Sequence, residues 1–257
     1  MAILIKTSEE IEIMRECGKR HARILRALAE AIKPGVSSYE LENKARELTK
    51  KEGGKSPFLG YKPYGAKTPF PAVLCLSIND EVVHGIPNGP IEKFLKEGDI
   101  VSLDLGFLYK GLITDAAVTV GVGKIDAKAK KLLAVTEEAM YAGIKVAKAG
   151  NTTGDIGAAI EAIGKKNSFG IVDILAGHGV GRLVHEDPYV PNFGHKGEGA
   201  KLRVGMTIAI EPMFNLGTKE LTIDDDDWTF RTADGKFSAH FEHTVLITEK
   251  GADILTK

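Results

Sequence analysis

The chain has 257 residues, 43% of them apolar and 27% charged, with a formal net charge of -1. That length suffices for one large domain or two small ones with a substantial core, and a near-neutral balance gives no electrostatic reason to expect a nucleic acid or an anionic membrane as partner. Only Cys17 and Cys75 could cross-link, and they lie far apart. This argues against a disulfide framework and for a reducing compartment. No run approaches the roughly 20 apolar residues that a membrane span requires, and the opening "MAILIKTSEE" lacks the pattern of a secretory signal. The expectation is a cytoplasmic protein.

In chain order, a first helix is predicted from Ser8 to Ile32, with Thr7 and Glu10 at capping-box spacing. Its buried stripe is Ile11, Met14, Gly18, Ala22, Leu25, Leu28 and Ile32, and Pro34-Gly35 stops it. A second helix starts near Ser37, with Glu40 three residues on, and ends at Gly53-Gly54. A loop rich in proline, glycine and aromatics follows, "SPFLGYKPYGAKTPFP". Strands are predicted at Val73 to Ile78, Ile100 to Phe107 and Leu112 to Gly121. Asp126 caps a third helix over Ala127 to Lys148, and a fourth begins at Thr152-Thr153. The last third reads as strands: Thr207 to Ile210, Leu221 to Ile223 and Ala239 to Thr248.

No linker divides the chain, but it contains an internal repeat. "IKPGVSSYEL" (32–41) resembles "AKAGNTTGDI" (147–156). "EGDIVSLD" (97–104) resembles "RVGMTIAIE" (203–211), which makes Asp104 and Glu211 equivalent. "HGIP" (84–87) pairs with "HEDP" (185–188) in the same sense. Chance similarity between helix-start signals is one reading. The other is a duplicated half-domain with a site at the interface of the halves, where ligand pockets commonly form.

The segment "DLGFLYKGLITD" carries an aspartate in each of two strand-like runs. A hairpin turning at Tyr109-Lys110 would set Asp104 directly opposite Asp115, with Cβ atoms about 5 Å apart. Taken alone, the pair reads better as one aspartate on the solvent side at a frayed end. However, Glu211 in "IAIEPM" and Glu242 in "AHFEHTVLIT" are also single acids inside apolar runs, and His178 sits between glycines in "AGHGVG". Buried carboxylates in this number need protons or cations. Four carboxylates match the charge of two divalent ions, and an oxygen-rich set with one histidine suits Mn, Fe or Co better than a tetrahedral structural zinc. Two such ions roughly 3.5–4 Å apart can hold a bridging water and make it a nucleophile at neutral pH.

These residues, with "VVHGIP", "LDLG", "TDAAVTVG", "GHGVGRLVHEDP", "IEPM" and "FEHTVLIT", resemble the pita-bread metallopeptidases over nearly the whole chain. Within them the resemblance is to methionine aminopeptidases of the bacterial type (type I). It implies an α+β fold of two pseudo-twofold-related halves, antiparallel strands and helices around a dinuclear site. The whole chain, 1–257, would be one catalytic domain, with halves of approximately 8–123 and 124–250. It further implies that Asp104 chelates one ion, that Asp115 and Glu242 bridge both, and that His178 and Glu211 complete the other. The ions would be drawn from Co, Mn, Fe and Zn.

The implied reaction is removal of the initiator methionine from nascent proteins whose second residue is small and uncharged, a metal-bound hydroxide attacking the scissile carbonyl. Glu211 would shuttle the proton, His84 would contact the scissile amide, and His185 would stabilise the developing oxyanion. The methionine pocket would be formed by Phe58, Tyr61, Tyr64, Cys75 and Trp228. Nascent N-termini, ribosome association and a monomeric state are further expectations from the resemblance.

The sequence departs from the family pattern in three places. "GAKTPFP" (65–71) reads as an insertion in the pocket loop, and Phe58 and Val184 stand where cysteine and phenylalanine are usual. An Xaa-Pro peptidase is the nearest rival, but such enzymes usually carry an extra N-terminal domain. A type II enzyme would need an insertion for which Glu211 and Glu242, only 31 positions apart, leave no room. A non-catalytic pita-bread scaffold should have lost ligands, and all five are present. The acidic tetrad 224–227 reads as a solvated loop, and "GHGVG" lacks the strand–helix context of a dinucleotide fingerprint.

Overall fold

The computed structural model describes residues 2–257. Its elements are, in order, α1 (Ser8–Ala29), α2 (Ser38–Lys51), β1 (Cys75–Ile78), β2 (Glu81–Val83), β3 (Ile100–Tyr109), β4 (Leu112–Gly121), α3 (Ala127–Val146) and α4 (Thr153–Lys166). There follow β5 (Gly170–Ile171), β6 (Gly177–Gly179), β7 (Glu186–Val190), β8 (Thr207–Ile210), β9 (Met213–Asn215), β10 (Leu221–Ile223), β11 (Phe230–Thr232), β12 (Ser238–His240), β13 (Glu242–Ile247) and β14 (Ala252–Ile254).

The helices begin where side chains satisfy their free N–H groups. Thr7 with Glu10, Ser37 with Glu40 and Thr152 with Asp155 form reciprocal capping boxes, and Asp126 caps α3. α1 stops at Ala29, short of the expected Ile32. The chain must leave the helical region before Pro34, whose ring disfavours α-conformation in the residue ahead of it. β1 starts at Cys75 rather than Val73 because the N–H groups of Val73 and Leu74 donate to the Glu42 carboxylate, at 2.9 and 3.0 Å, and not to a neighbouring strand.

The main sheet runs β1-β3-β4-β13-β8-β6-β7, with β14 added on β13. Every pairing in it is antiparallel. One face is apolar. Leu103, Leu105 and Ala116 pack with Ile24 and Leu28 of α1 and Leu41 and Ala45 of α2. Ile208, Ile210, Val245 and Ile247 pack with Leu132 and Val135 of α3 and Ile156 and Ile160 of α4. Side chains alternate along a strand, so Asp104, Asp115 and Glu242 are turned to the opposite face.

The hairpin register differs from the expected one. Asp104 pairs with Ala117, and Asp115 with Gly106. The turn is Lys110-Gly111, whose φ values of 49° and 82° make a two-residue turn of the primed kind. The two aspartates are therefore diagonal neighbours on one face, which relieves the like-charge contact of a directly opposed pair. The strand expected over Ala239 to Thr248 is broken at Phe241. β12 pairs with β9 in a small sheet, and β13 joins the main one. The partner run breaks in step at Glu211-Pro212, because proline has no N–H to give a ladder. Among the described residues no helix is long and apolar enough to cross a membrane.

Candidate metal centre

Glu242 of β13 pairs with Ala117 of β4, and Ala117 pairs with Asp104 of β3. This places two carboxylates on either side of one small residue, with Asp115 two positions along the middle strand. Ala117 carries only a methyl group, so the space above it belongs to the acids. Glu211 enters from the other side, directly after Ile210, which pairs with His243. His178 stands in β6 between Gly177 and Gly179. A Cβ at either glycine would lie 2.3 Å from a backbone oxygen, of Ala209 or Asp187 respectively. Only glycine lets the strands come that close.

Asp115, His178 and Glu242 each offer a ligand atom within 4.8 Å of the others. His178 Nε2 is 3.3 Å from Glu211 Oε1. Its Nδ1 lies 2.9 Å from the Gly179 carbonyl, an acceptor only, so Nδ1 carries the ring proton and Nε2 presents a lone pair to the cluster. Asp104 Oδ1 and Glu242 Oε1 are buried without a hydrogen-bond partner. Asp115 is pinned through its backbone, which exchanges hydrogen bonds with the Thr244 hydroxyl at 2.8 and 2.7 Å.

Burial pushes the Asp104, Glu211 and Glu242 carboxyls well above the usual range, and each is pushed further by Asp115. Burial lifts Asp115 to about 7. Burial also lowers His178 to about 3, with His185 a lesser cause. The group therefore holds protons unless a cation replaces them, while the histidine stays neutral and available as a ligand. Orphaned buried oxygens, an oriented imidazole lone pair and an oxygen-rich donor set all fit a divalent cation.

The cluster lines a cavity of about 350 Å³. His84, His185, Phe58, Tyr61, Cys75 and Trp228 also line it. His84 takes a positive φ of 58°, a strained conformation for a non-glycine residue of the kind that clusters at functional sites. The Tyr61 hydroxyl is 2.6 Å from His185 Nδ1, and the His185 ring is 4.4 Å from that of His178.

Tyr64 does not join this group. It is fully exposed, and Phe70 of the 65–71 segment faces the cavity instead. Phe70 is held by backbone bonds, Gly60 N–H to its carbonyl and its own N–H to Tyr61, both 2.8 Å. It stacks edge-on against Phe58 and Trp228. One aromatic, Tyr64, precedes the inserted residues and another, Phe70, lies within them, and local sequence does not say which one turns inward.

The acidic tetrad is tied down within this region. Asp227 pairs with Lys67 at 2.6 Å, Asp226 accepts from Thr229 and Trp228 N–H groups, and Asp224 binds Arg231 at 2.6 Å. The sequence reading also missed His240, two residues before Glu242, a spacing that puts both on one side of an extended chain.

An antiparallel sheet that presents buried carboxylates and the His178 imidazole to a cavity lined by further histidines and aromatics defines a metal-dependent peptidase of the pita-bread class. Residues 12–249 match the model of metallopeptidase family M24, and the chain belongs to that family. It is 49% identical to a methionine aminopeptidase of Aquifex aeolicus over 261 residues, covering 100% of both chains. It is 44% identical to methionine aminopeptidase 1 of Bacillus subtilis, covering 99% of each. Among solved structures, methionine aminopeptidase of Thermotoga maritima superposes with a TM-score of 0.93 at 45% identity, covering 100% of both chains. A prolidase of Pyrococcus furiosus gives 0.76 at 28% identity, with 98% of this chain matching 65% of that one. The fold is thus the pita-bread fold.

Proposed function

We propose that the chain is a methionine aminopeptidase, removing the N-terminal methionine of nascent polypeptides when the second residue is small and uncharged. The observation that carries this reading is one cavity lined both by packed aromatics, Phe58, Phe70 and Trp228, and by the carboxylate–imidazole cluster. The aromatics suit an unbranched apolar side chain and the cluster a scissile amide. Full-length likeness to methionine aminopeptidases supports it.

Asp104, Asp115, His178, Glu211 and Glu242 would hold the divalent metal, two ions matching the charge of the four carboxylates. Bound there, ions from among Co, Mn, Fe and Zn would supply the positive charge that ionises water at neutral pH and polarises a carbonyl. Glu211 accepts a proton at a carboxylate oxygen and returns it to the leaving nitrogen. Tyr61 donates to Nδ1 of His185, so the proton of that ring sits on Nε2 and faces the carbonyl oxygen. His84 hydrogen-bonds the scissile amide. Phe58, Tyr61, Phe70, Cys75 and Trp228 enclose the methionine side chain, and Val184 completes the wall.

The chain acts as one catalytic domain, 1–257, built from halves at about 8–123 and 124–250. The strand order β1-β3-β4 on one side of the sheet and β13-β8-β6 on the other supports this. It works as a cytoplasmic monomer on chains emerging from the ribosome.

The test is hydrolysis of a Met-Ala-Ser peptide by protein loaded in turn with Mn, Fe, Co and Zn, alongside a panel varied at the first two positions. Activity should require metal, vanish with chelator, and fall as the second residue grows. Equal or faster turnover of an Xaa-Pro peptide would overturn the assignment in favour of a prolidase.

A further inference from the structure

His240 is the most deeply buried polar side chain in the cavity without a role in the reading above. It is 1% exposed and lines the cavity, and neither ring nitrogen has a hydrogen-bond partner. A buried imidazole left without partners costs free energy, so a ring held this way implies a partner within the working site. Its backbone is fixed: the His240 N–H donates to the Thr119 hydroxyl at 2.9 Å, and that hydroxyl donates to the His240 carbonyl at 2.7 Å. Register adds a second constraint. His240 pairs with Met213, two residues beyond Glu211. The ring consequently faces the Glu211 carboxylate, with Nε2 3.7 Å from Oε2.

Glu211 thus lies between two imidazoles that meet different oxygens. Oε1 faces the His178 lone pair at 3.3 Å, an arrangement that calls for a cation or proton between them. Oε2 faces His240. We infer that His240 is a positioning residue for Glu211. Its Nε2–H donates to Oε2, which holds the carboxylate with Oε1 turned to the ion. This rests on the proposed ligand role of Glu211. A carboxylate oriented by such a donor binds metal more tightly than one free to rotate, and loss of a supporting hydrogen bond of this kind typically costs about 10–100-fold in affinity.

The experiment measures Zn(II) affinity of the full-length protein by calorimetry for wild type, His240→Leu and His240→Gln. Leucine fills the space without a donor, and glutamine restores one. The expected result is affinity at least about tenfold weaker in the leucine variant and near wild type in the glutamine variant. Unchanged affinity in the leucine variant overturns the proposal. A loss that glutamine does not repair also overturns it, since it means that the imidazole itself ligates. A second measurement needs no variant. In Zn(II)-loaded wild type, long-range proton–nitrogen correlation should show His240 protonated at Nε2 alone, and a proton at Nδ1 contradicts the inference. Neither readout depends on peptidase activity, so failure here is separable from failure of the proposed function.

Discussion

His178 Nε2 and Glu211 Oε1 face each other at 3.3 Å, and the Gly179 carbonyl leaves the histidine atom without a proton. Two lone pairs at that distance repel unless a proton or a cation stands between them. In metal-free protein burial, with the charges of Asp115 and Asp104, raises the Glu211 carboxyl well above its usual range and so favours a proton there.

The consequence for pH follows from the sign of these shifts. The carboxyls are raised on folding, Asp115 to about 7. Such a contribution to the metal-free fold is full below the ordinary carboxylate range and is lost as pH rises through the raised value, about 7 for Asp115. A cation binds the ionised form and removes that loss. The gap in melting temperature between metal-saturated and metal-free protein should widen from about pH 6 to about pH 8. Paired thermal melts read this directly, since groups outside the site cancel, and a constant or narrowing gap would contradict it.

Asp115 lies two residues along β4 from Ala117, between the acids of β3 and β13. Asp115→Asn keeps the shape and the Thr244 backbone bonds while removing one charge. Calorimetric titration should then find fewer than two ions per chain, with peptide hydrolysis lost in parallel. Retention of two ions at wild-type affinity would rule out a bridging position.

Tyr61 and His185 share a 2.6 Å hydrogen bond. Tyr61→Phe removes the hydroxyl that selects the His185 tautomer while leaving the pocket wall in place. One neutral hydrogen bond contributes about 0.5–1.5 kcal/mol, so kcat should fall by about two- to tenfold with little change in metal affinity. A purely apolar role for Tyr61 would leave kcat untouched.

Phe70, not Tyr64, lines the cavity. Phe70→Ala should lower kcat/KM for methionine peptides by about tenfold or more, because lost side-chain contact in an apolar pocket is worth about 1–3 kcal/mol. It should also relax discrimination among first residues. Tyr64→Ala should alter stability by no more than about 0.5 kcal/mol and leave steady-state constants unchanged. The reverse pattern would restore the assignment made from sequence.

Much of this protein is legible in its sequence. Three reciprocal capping boxes and the Asp126 cap mark helix starts within one turn of chain, so local sequence suffices to find them. The acids at 104, 115, 211 and 242 stood out because an ionisable residue in an apolar strand run is costly enough to demand a reason. The resemblance to pita-bread metallopeptidases then tied them together.

What the tertiary structure decided was register and facing. Whether Asp104 meets Asp115 or Ala117 depends on one turn residue, and a hairpin shifts by two positions when its turn moves from Tyr109-Lys110 to Lys110-Gly111. Phe70 displaced Tyr64 because the backbone bonds at Gly60 and Tyr61 hold it inward, a pairing with no local signal. His240 became visible only when β12 left the main sheet and carried its ring to Glu211. The sequence by itself determined which residues could not tolerate burial alone. Only the packing of distant strands, driven by the apolar faces beneath the helices, determined which of them share a site.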